Sequence, residues 1–334
     1  MSEAVLVTGG AGYIGSHACK ALAAAGYLPV VLDNLSRGHR AAVRWGPLQV
    51  ADLSDWAAVR ALVRRHRIRA VLHFAAFTYV GESVDNPRLY FDNNVVASQV
   101  FIGALLDEGV RDIVFSSTAA VYGMPRHVPI PEDQPHAPIN PYGASKASIE
   151  TMLRWYGQAY GVNWAALRYF NAAGADADGL IGEVHEPETH LIPLAIQANL
   201  GLRGPLSVFG TDYDTPDGTA IRDYIHVTDL ADAHVRALRY LAGGGDSGAF
   251  NVGTGDGYSV REVLQAVEAV AGTPVPARDA PRRPGDPARL VARADRIRDA
   301  FAWRPHASDL GSIVRSAYAW HRHPAFTAEQ PAEL

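Results

Sequence analysis

Tyr142 and Lys146 stand four residues apart in Pro141-Tyr142-Gly143-Ala144-Ser145-Lys146. On a helix that spacing puts both side chains on one face, a turn apart. Pro141 suits a first helical turn. The pair offers a phenol acting as a base beside a fixed ammonium. An ordinary tyrosine, with a pKa near 10, is protonated at neutral pH, and holding it half ionised at pH 7 costs roughly 4 kcal/mol. A positive charge about 5 Å away supplies roughly 3 kcal/mol at an effective dielectric of about 20. One lysine nearly suffices, and a second cation completes the shift. The same pair could meet on a solvated helix face without any function. Lysine is rare here, however: only Lys20 and Lys146 occur, so 28 of the 30 basic residues are arginine. With 14 tyrosines in the chain, chance supplies roughly 0.1 such matches.

The elements that must position this pair begin at the N-terminus. Ala4 to Thr8 is a short apolar run, a buried strand by length. Gly9-Gly10-Ala11-Gly12-Tyr13-Ile14-Gly15 follows, fitting both G-x-G-x-x-G and G-x-x-G-x-x-G, and Ile14 to Ala25 reads as a helix ending at Gly26. Strand, glycines and helix in that order point to a dinucleotide whose pyrophosphate meets the helix N-terminus. Leu28 to Leu32 is a second strand ending at Asp33, 18 residues after Gly15. A carboxylate there suits the adenosine ribose hydroxyls and repels a 2′-phosphate, so NAD is expected over NADP. Arg37 tempers that preference, and Asp33 could instead be a turn or cap residue.

The alternation continues. Leu48 to Ala51 is a strand with Asp52-Leu53 at its end, where an adenine could be met, and Trp56 to His66 is a helix. Ala70 to Phe74 is a strand running into Ala75-Ala76, small enough for close cofactor approach; Asn86 to Leu106 reads as one long helix; Ile113 to Ser117 is a strand. His73 reads as a packed residue rather than a catalyst, with no acid or metal partner apparent. Repeated strand–helix units predict a Rossmann-type, doubly wound parallel α/β sheet with ligands at the carboxyl ends of the strands. Ser116, Ser117, Thr118 and the Tyr122-Gly123 loop fall on that edge.

Composition bounds the rest. A chain of 334 residues can hold a large core and two substructures. Its 48% apolar and 19% charged residues are those of a globular protein, and a net charge of −5 gives no reason to expect nucleic acid or a membrane as partner. The single Cys19 excludes an intramolecular disulfide and fits a reducing compartment. No apolar run reaches membrane-spanning length, and the N-terminus reads as a strand rather than a signal peptide. A cytoplasmic protein is expected, with a polar tail fraying from about Thr327.

Longer stretches narrow the reading. They are Val5 to Gly10, Tyr13 to His17, Asp33-Asn34-Leu35-Ser36, Val80 to Val84, Ser116 to Gly123, Leu167 to Asn171 and Arg222 to Val227. Together they resemble the extended short-chain dehydrogenase/reductase superfamily, and within it the UDP-glucose 4-epimerase family, over about residues 4–323. The resemblance implies tightly held NAD, with Tyr142 as base for the sugar 4-hydroxyl and Lys146 lowering its pKa and bonding the nicotinamide ribose. Thr118 would hydrogen-bond the 4-oxygen. Hydride would leave sugar C4, the 4-keto sugar would turn, and hydride would return to its other face, interconverting UDP-galactose and UDP-glucose. The cationic nicotinamide would be the second charge. Cofactor contacts are implied at Gly9, Gly12, Tyr13, Ile14, Gly15, Asp33, Asn34, Asp52, Leu53, Phe74, Ala75, Ala76, Asn93, Ser116 and Tyr169. Related dehydratases need an acidic pair after the serine/threonine cluster, whereas Ala119 and Ala120 follow Thr118 here. That favours epimerisation.

The second half supplies a substrate side. Asn163 to Tyr169 is a strand, and Asn171 opens a long irregular stretch to about Thr189 of the kind that is functional or mobile. His190-Leu191 opens a helix, and Leu206 to Phe209 is a strand that could line a uracil site. Arg222 and Arg282-Arg283-Pro284-Gly285-Asp286 can meet a diphosphate and a ribose, with Arg283 preferred over Arg282. By resemblance, substrate contacts fall at Thr118, Tyr142, Asn171, His190, Leu191, Phe209, Arg222, Arg283, Asp286 and Leu290. Leu290 occupies a position where relatives carry a large Tyr or a small residue, so limited turnover of N-acetylated UDP-sugars is expected. Helices are predicted from Thr228, with Thr228 as cap, from Ser259 as cap to about Val270, and from Asp295 and Ser308; Phe250 to Val252 adds a strand. The expected division is 1–170 plus about 224–252 for NAD, and about 171–223 plus 253–330, a smaller α/β unit, for the UDP-sugar. A homodimer through helices 86–106 and 142–160 is implied, and no metal ligands are singled out. Alternatives are 4-epimerisation of another UDP-sugar (a pentose, uronate or N-acetylhexosamine) and a non-catalytic NAD-binding module.

Overall fold

Seven short strands, all but the edge strand Leu48–Val50 largely buried, form one parallel sheet. The structure, a computed structural model, describes residues 2–283 and 285–327. Across the sheet the strands run Gly248–Val252, Asn163–Tyr169, Asp112–Thr118, Ala70–His73, Ala4–Thr8, Leu28–Asp33 and Leu48–Val50. Every neighbouring pair is parallel. Ala4–Thr8 has Leu28–Asp33 on one side and Ala70–His73 on the other, so the winding reverses there. A crevice at that point is where such sheets take a ligand.

Helices cover both faces, as the alternation predicts. Tyr13–Ala24 and Val227–Ala242 contribute Leu22, Leu230 and Leu238 to one apolar cluster. Trp56–His66, Ala97–Asp107 and Pro141–Tyr160 contribute Leu62, Phe101, Leu105, Ile149 and Leu153 to the other. A third cluster joins Leu191–Asn199, Val260–Ala271 and Leu310–Arg322 through Ile192, Ile196, Val263, Val267, Ile313 and Val314. Beside it lie two small sheets. Leu206–Phe209 pairs with Ala277–Ala280, and Ile221–Arg222 lies between Tyr258–Ser259 and Arg289–Leu290. Among the described residues, no helix is long and apolar enough to cross a membrane.

Three local expectations change. The long helix is not uniform: Pro87–Tyr90 and Ala97–Asp107 are α, and Phe91–Val96 is a π turn between them. Asn94, buried in that turn, accepts from Phe77 N at 2.8 Å and donates to Phe77 O at 3.0 Å. A widened turn is consistent with a side chain directed inward to bond a loop. Thr228 is not the cap of Val227–Ala242; the His226 ring accepts from Thr228 N at 3.1 Å instead. The last helix begins at Leu310, capped by Asp309, rather than at Ser308, whose hydroxyl is bound to Asp229 at 2.5 Å. Ser259 does cap its helix, in a reciprocal box with Glu262. The tail expected to fray lies, beyond Thr327, outside the described residues.

Candidate active site

The glycine turn fits a dinucleotide. Gly9 has φ of 69°, and a Cβ on it would meet Ala75 N at 2.7 Å, a position only glycine fills without strain. A Cβ on Gly15 would overlap Gly9 O. Gly12 precedes the helix Tyr13–Ala24 and offers no side chain to its first N–H groups, which leaves a helix N-terminus suited to a pyrophosphate. Ile14 lies on that first turn, and the Tyr13 hydroxyl donates to Gly174 O at 2.6 Å.

Asp33 closes the same turn. Its carboxylate accepts from Ala11 N at 3.0 Å and from Leu35 N at 2.8 Å. Burial raises its pKa, and those two bonds oppose the rise. Asp33 is therefore both a turn residue and a carboxylate with lone pairs left for ribose hydroxyls. Arg37 faces elsewhere, pairing with Glu82 at 2.6 Å and stacking over Phe77 and Tyr79. Asn34 donates to Asp52 at 2.9 Å, beside buried Leu53. Phe74 and Ala75 follow the strand Ala70–His73, and Asn93 lies on the π turn, donating to Asn94 at 2.9 Å. His73 is packed as expected, between Thr8 at 2.7 Å and Ser98 at 2.9 Å.

At the strand ends the helix Pro141–Tyr160 delivers the phenol and the amine. Asn140 caps it, accepting from Gly143 N at 2.8 Å, and Pro141 is in its first turn. Burial pushes the Tyr142 pKa up to about 12, and the nearby Thr118 hydroxyl only partly opposes the rise. Lys146 is fully buried and donates to Ser116 O at 2.8 Å. Burial lowers its pKa to about 7, with the Glu150 charge opposing. The expected depression of the phenol by Lys146 is therefore not what the protein groups alone produce. The ammonium is directed at a strand carbonyl, and desolvation is the largest influence on both groups. Ser116 Oγ bonds the Tyr169 hydroxyl, closing the floor of the site.

One turn beyond Lys146, Glu150 anchors a buried network. It accepts from Ser117 Oγ at 2.5 Å and from Arg168 Nε and Nη2 at 3.0 and 2.6 Å. Burial alone would raise its pKa; bonds from His136, Arg168 and Ser117 hold it down at about 2. Arg168 also donates to the Tyr122 hydroxyl at 2.9 Å. Sequence reading missed this network, although Tyr-x-x-x-Lys-x-x-x-Glu was visible as a continuous helix stripe.

The substrate-side residues converge on one another. Arg222 pairs with Asp286, and the Arg283 guanidinium lies 4.0 Å from the Phe209 ring centroid. Arg282 is held by Asp212 at 2.7 Å and stacks on Tyr213, which leaves Arg283 as the freer cation. The buried Tyr213 hydroxyl, not singled out from sequence, has no hydrogen-bond partner among the described residues. Leu290 pairs with Arg222 across the small sheet and packs on the cluster of Ala119, Val121 and Tyr122. It thereby links the arginines to the strand end carrying Thr118. Asn171 donates through its side chain to Asp223 O at 2.9 Å, and Leu191 begins the helix Leu191–Asn199. The His190 ring faces the Glu183 and Glu188 carboxylates, with Nδ1 at 2.9 and 2.8 Å.

A glycine turn without a side-chain cap under a parallel sheet, with a Tyr-x-x-x-Lys whose lysine is buried at the strand ends, defines a nicotinamide-dinucleotide enzyme of the short-chain dehydrogenase/reductase type. Residues 5–253 match the model of the NAD dependent epimerase/dehydratase family, and the chain belongs to that family. It is 54% identical to the UDP-glucose 4-epimerase of Rhizobium meliloti (strain 1021), over 95% of this chain and 96% of that protein. The crystal structure of UDP-glucose 4-epimerase from Brucella ovis in complex with NAD is 48% identical, with a TM-score of 0.94, covering 95% of this chain and 98% of that one. The Stenotrophomonas maltophila UDP-glucose-4-epimerase, with bound NAD and formylated UDP-arabinopyranose, is 42% identical with a TM-score of 0.93, over 96% and 98%.

Proposed function

We propose that the chain interconverts UDP-galactose and UDP-glucose by epimerisation at sugar C4, with NAD as its cofactor. The observation that carries the reading is the Thr118 hydroxyl beside Tyr142 on a strand end that Leu290 ties to the Arg222 and Arg283 group. Bound NAD supplies a reversible hydride acceptor, so C4 is oxidised and reduced with no net redox change. Gly9, Gly12 and Gly15 cradle its pyrophosphate, and Asp33 takes a ribose.

Each protein group then has one task. Tyr142 removes the proton from the sugar 4-hydroxyl and gives it back. Thr118 fixes the 4-oxygen against the phenol. Lys146, held on Ser116 O, keeps a positive charge on the cofactor side of the phenol. Arg283 and Arg222 hold the diphosphate, Phe209 lines the uracil, and Asp286 takes a ribose hydroxyl. Residues 1–170 with about 224–252 form the NAD unit, and about 171–223 with 253–330 form the sugar-nucleotide unit. The lone Cys19, buried as a free thiol, supports residence in the cytoplasm. Phe91, Val96 and Trp155, exposed on the two helical stretches expected to pair, support a homodimer; sedimentation as a monomer at micromolar concentration would count against it.

The test is incubation of the purified protein with UDP-galactose and no added NAD. UDP-glucose should accumulate to an equilibrium mixture. No product from protein shown by absorbance to carry NAD sinks the reading.

A further inference from the structure

The loop before the helix Leu191–Asn199 carries Glu183, His185, Glu188 and His190 within eight residues. Each offers one ligand atom, and the four atoms lie within 4.8 Å of one another. His185 Nδ1 lies 3.1 Å from Glu183 and 3.6 Å from Glu188; His190 Nδ1 lies 2.9 Å and 2.8 Å from the same two carboxylates. Tetrahedral bonds of about 2.0–2.1 Å separate neighbouring ligand atoms by about 3.3–3.4 Å. Taking Oε1 of Glu183 and Oε2 of Glu188 as the ligand oxygens, the edges of 3.1, 2.9 and 3.6 Å bracket that value.

We propose that these four side chains form a structural site for a divalent transition-metal ion of the zinc type. Three further observations support it. Glu183 and Glu188 are almost wholly buried, with side chains 4% and 5% exposed, and two carboxylates match the charge of a divalent ion that takes the place of the imidazole protons. His185 Nδ1 is a buried nitrogen that makes no hydrogen bond of good geometry, despite its proximity to both acids. The donor set of two nitrogens and two oxygens suits Zn²⁺ or Co²⁺ rather than the all-oxygen demands of Ca²⁺ or Mg²⁺.

The surroundings orient the ligands. Thr189 N and His190 N both donate to Glu188 Oε1, at 2.6 and 2.7 Å, leaving Oε2 for a metal. Trp320 donates to Glu183 O at 3.0 Å, and Tyr13 and Tyr79 present ring edges to His185. Four protein ligands leave no open position, so the ion is a clasp and not a catalyst. It fastens the irregular loop to the helix Leu191–Asn199, to Leu310–Arg322 and to the first turn of Tyr13–Ala24. The proposal does not depend on which sugar the enzyme turns over.

The test uses the full-length holoenzyme stripped with a chelator and dialysed. Zn²⁺ is titrated in competition with a chromophoric chelator, and Co²⁺ is added separately for its visible spectrum. One ion per chain, intense tetrahedral Co²⁺ bands and a raised Tm are expected. His185→Ala and Glu183→Gln should each weaken binding by at least about 100-fold. NAD content and circular dichroism check that the variants fold. Absence of stoichiometric binding to the wild type overturns the proposal without reference to any variant. Equal binding by wild type and folded variants also overturns it, since the ion would then sit on other histidines.

Discussion

Lys146 Nζ donates to Ser116 O at 2.8 Å, which ties the ammonium to the strand that also ends in Thr118. The amine and the two hydroxyl-bearing groups are therefore positioned by one strand end and one helix. The pair read from sequence as a base with a charged neighbour is, in the fold, a base whose neighbour is fixed by the backbone. Its full charge is opposed by burial. In the proposed mechanism the cofactor's positive ring is then needed all the more for the phenol to ionise.

Tyr142→Phe should fold normally and lose turnover by about 10²–10⁴-fold, the range of a lost general base. The measurement is kcat with UDP-galactose, beside a thermal melt. Near-wild-type turnover would remove Tyr142 from the role of base.

Arg283→Ala should raise the KM for UDP-galactose by about 10–100-fold, the value of a lost charge-assisted hydrogen bond. Arg282→Ala should change it far less, because Arg282 is occupied by Asp212. Equal effects from both would contradict the assignment.

Leu290 sits between Arg222 and the Thr118 strand end, so its volume bears on what the sugar may carry. UDP-N-acetylgalactosamine should be turned over with kcat/KM roughly tenfold or more below that of UDP-galactose. Leu290→Ala should narrow the gap, in keeping with the value of one or two methylenes in a pocket. Equal kcat/KM values in the wild type would refute the size argument.

Glu150 makes part of the stability acid-sensitive. Its pKa is about 2 in the fold against an ordinary 4.5, so its stabilising contribution is complete above about 4.5 and fades as pH falls towards 2. Glu150→Gln should lose that part of the acid dependence. It should also cost roughly 3–5 kcal/mol at pH 7, since Arg168 is left as an unpaired buried charge. Denaturant melts of both proteins at pH 7 and pH 4 check this; an unchanged midpoint at pH 7 would show that the network is dispensable.

Much of this was legible in the chain. Buried strands read cleanly because each is a short apolar run, and the strand Leu206–Phe209 and the helix Trp56–His66 have the expected ends. The glycine turn and Tyr142–Lys146 read cleanly because both are contiguous in sequence. The π turn at Phe91–Val96 did not, since it is consistent with Asn94 reaching a loop 17 residues earlier, which periodicity does not encode. Glu150–Arg168 and the Glu183–His190 cluster were missed for the same reason: their meaning depends on which buried charges meet. The fall in the Lys146 pKa was hidden too, because desolvation is set by the packed fold and not by spacing.

Asp33 does two things at once, and this limits how the enzyme could change. The carboxylate proposed to take the ribose also holds Ala11 N, and so keeps the glycine turn in shape. A shift to a phosphorylated cofactor would require removing that acid, losing the turn's brace, and freeing Arg37 from Glu82 as well. No single substitution accomplishes all three. Cofactor choice here is thus resistant to gradual drift, because the first step away from NAD loosens the cradle before any new preference is gained.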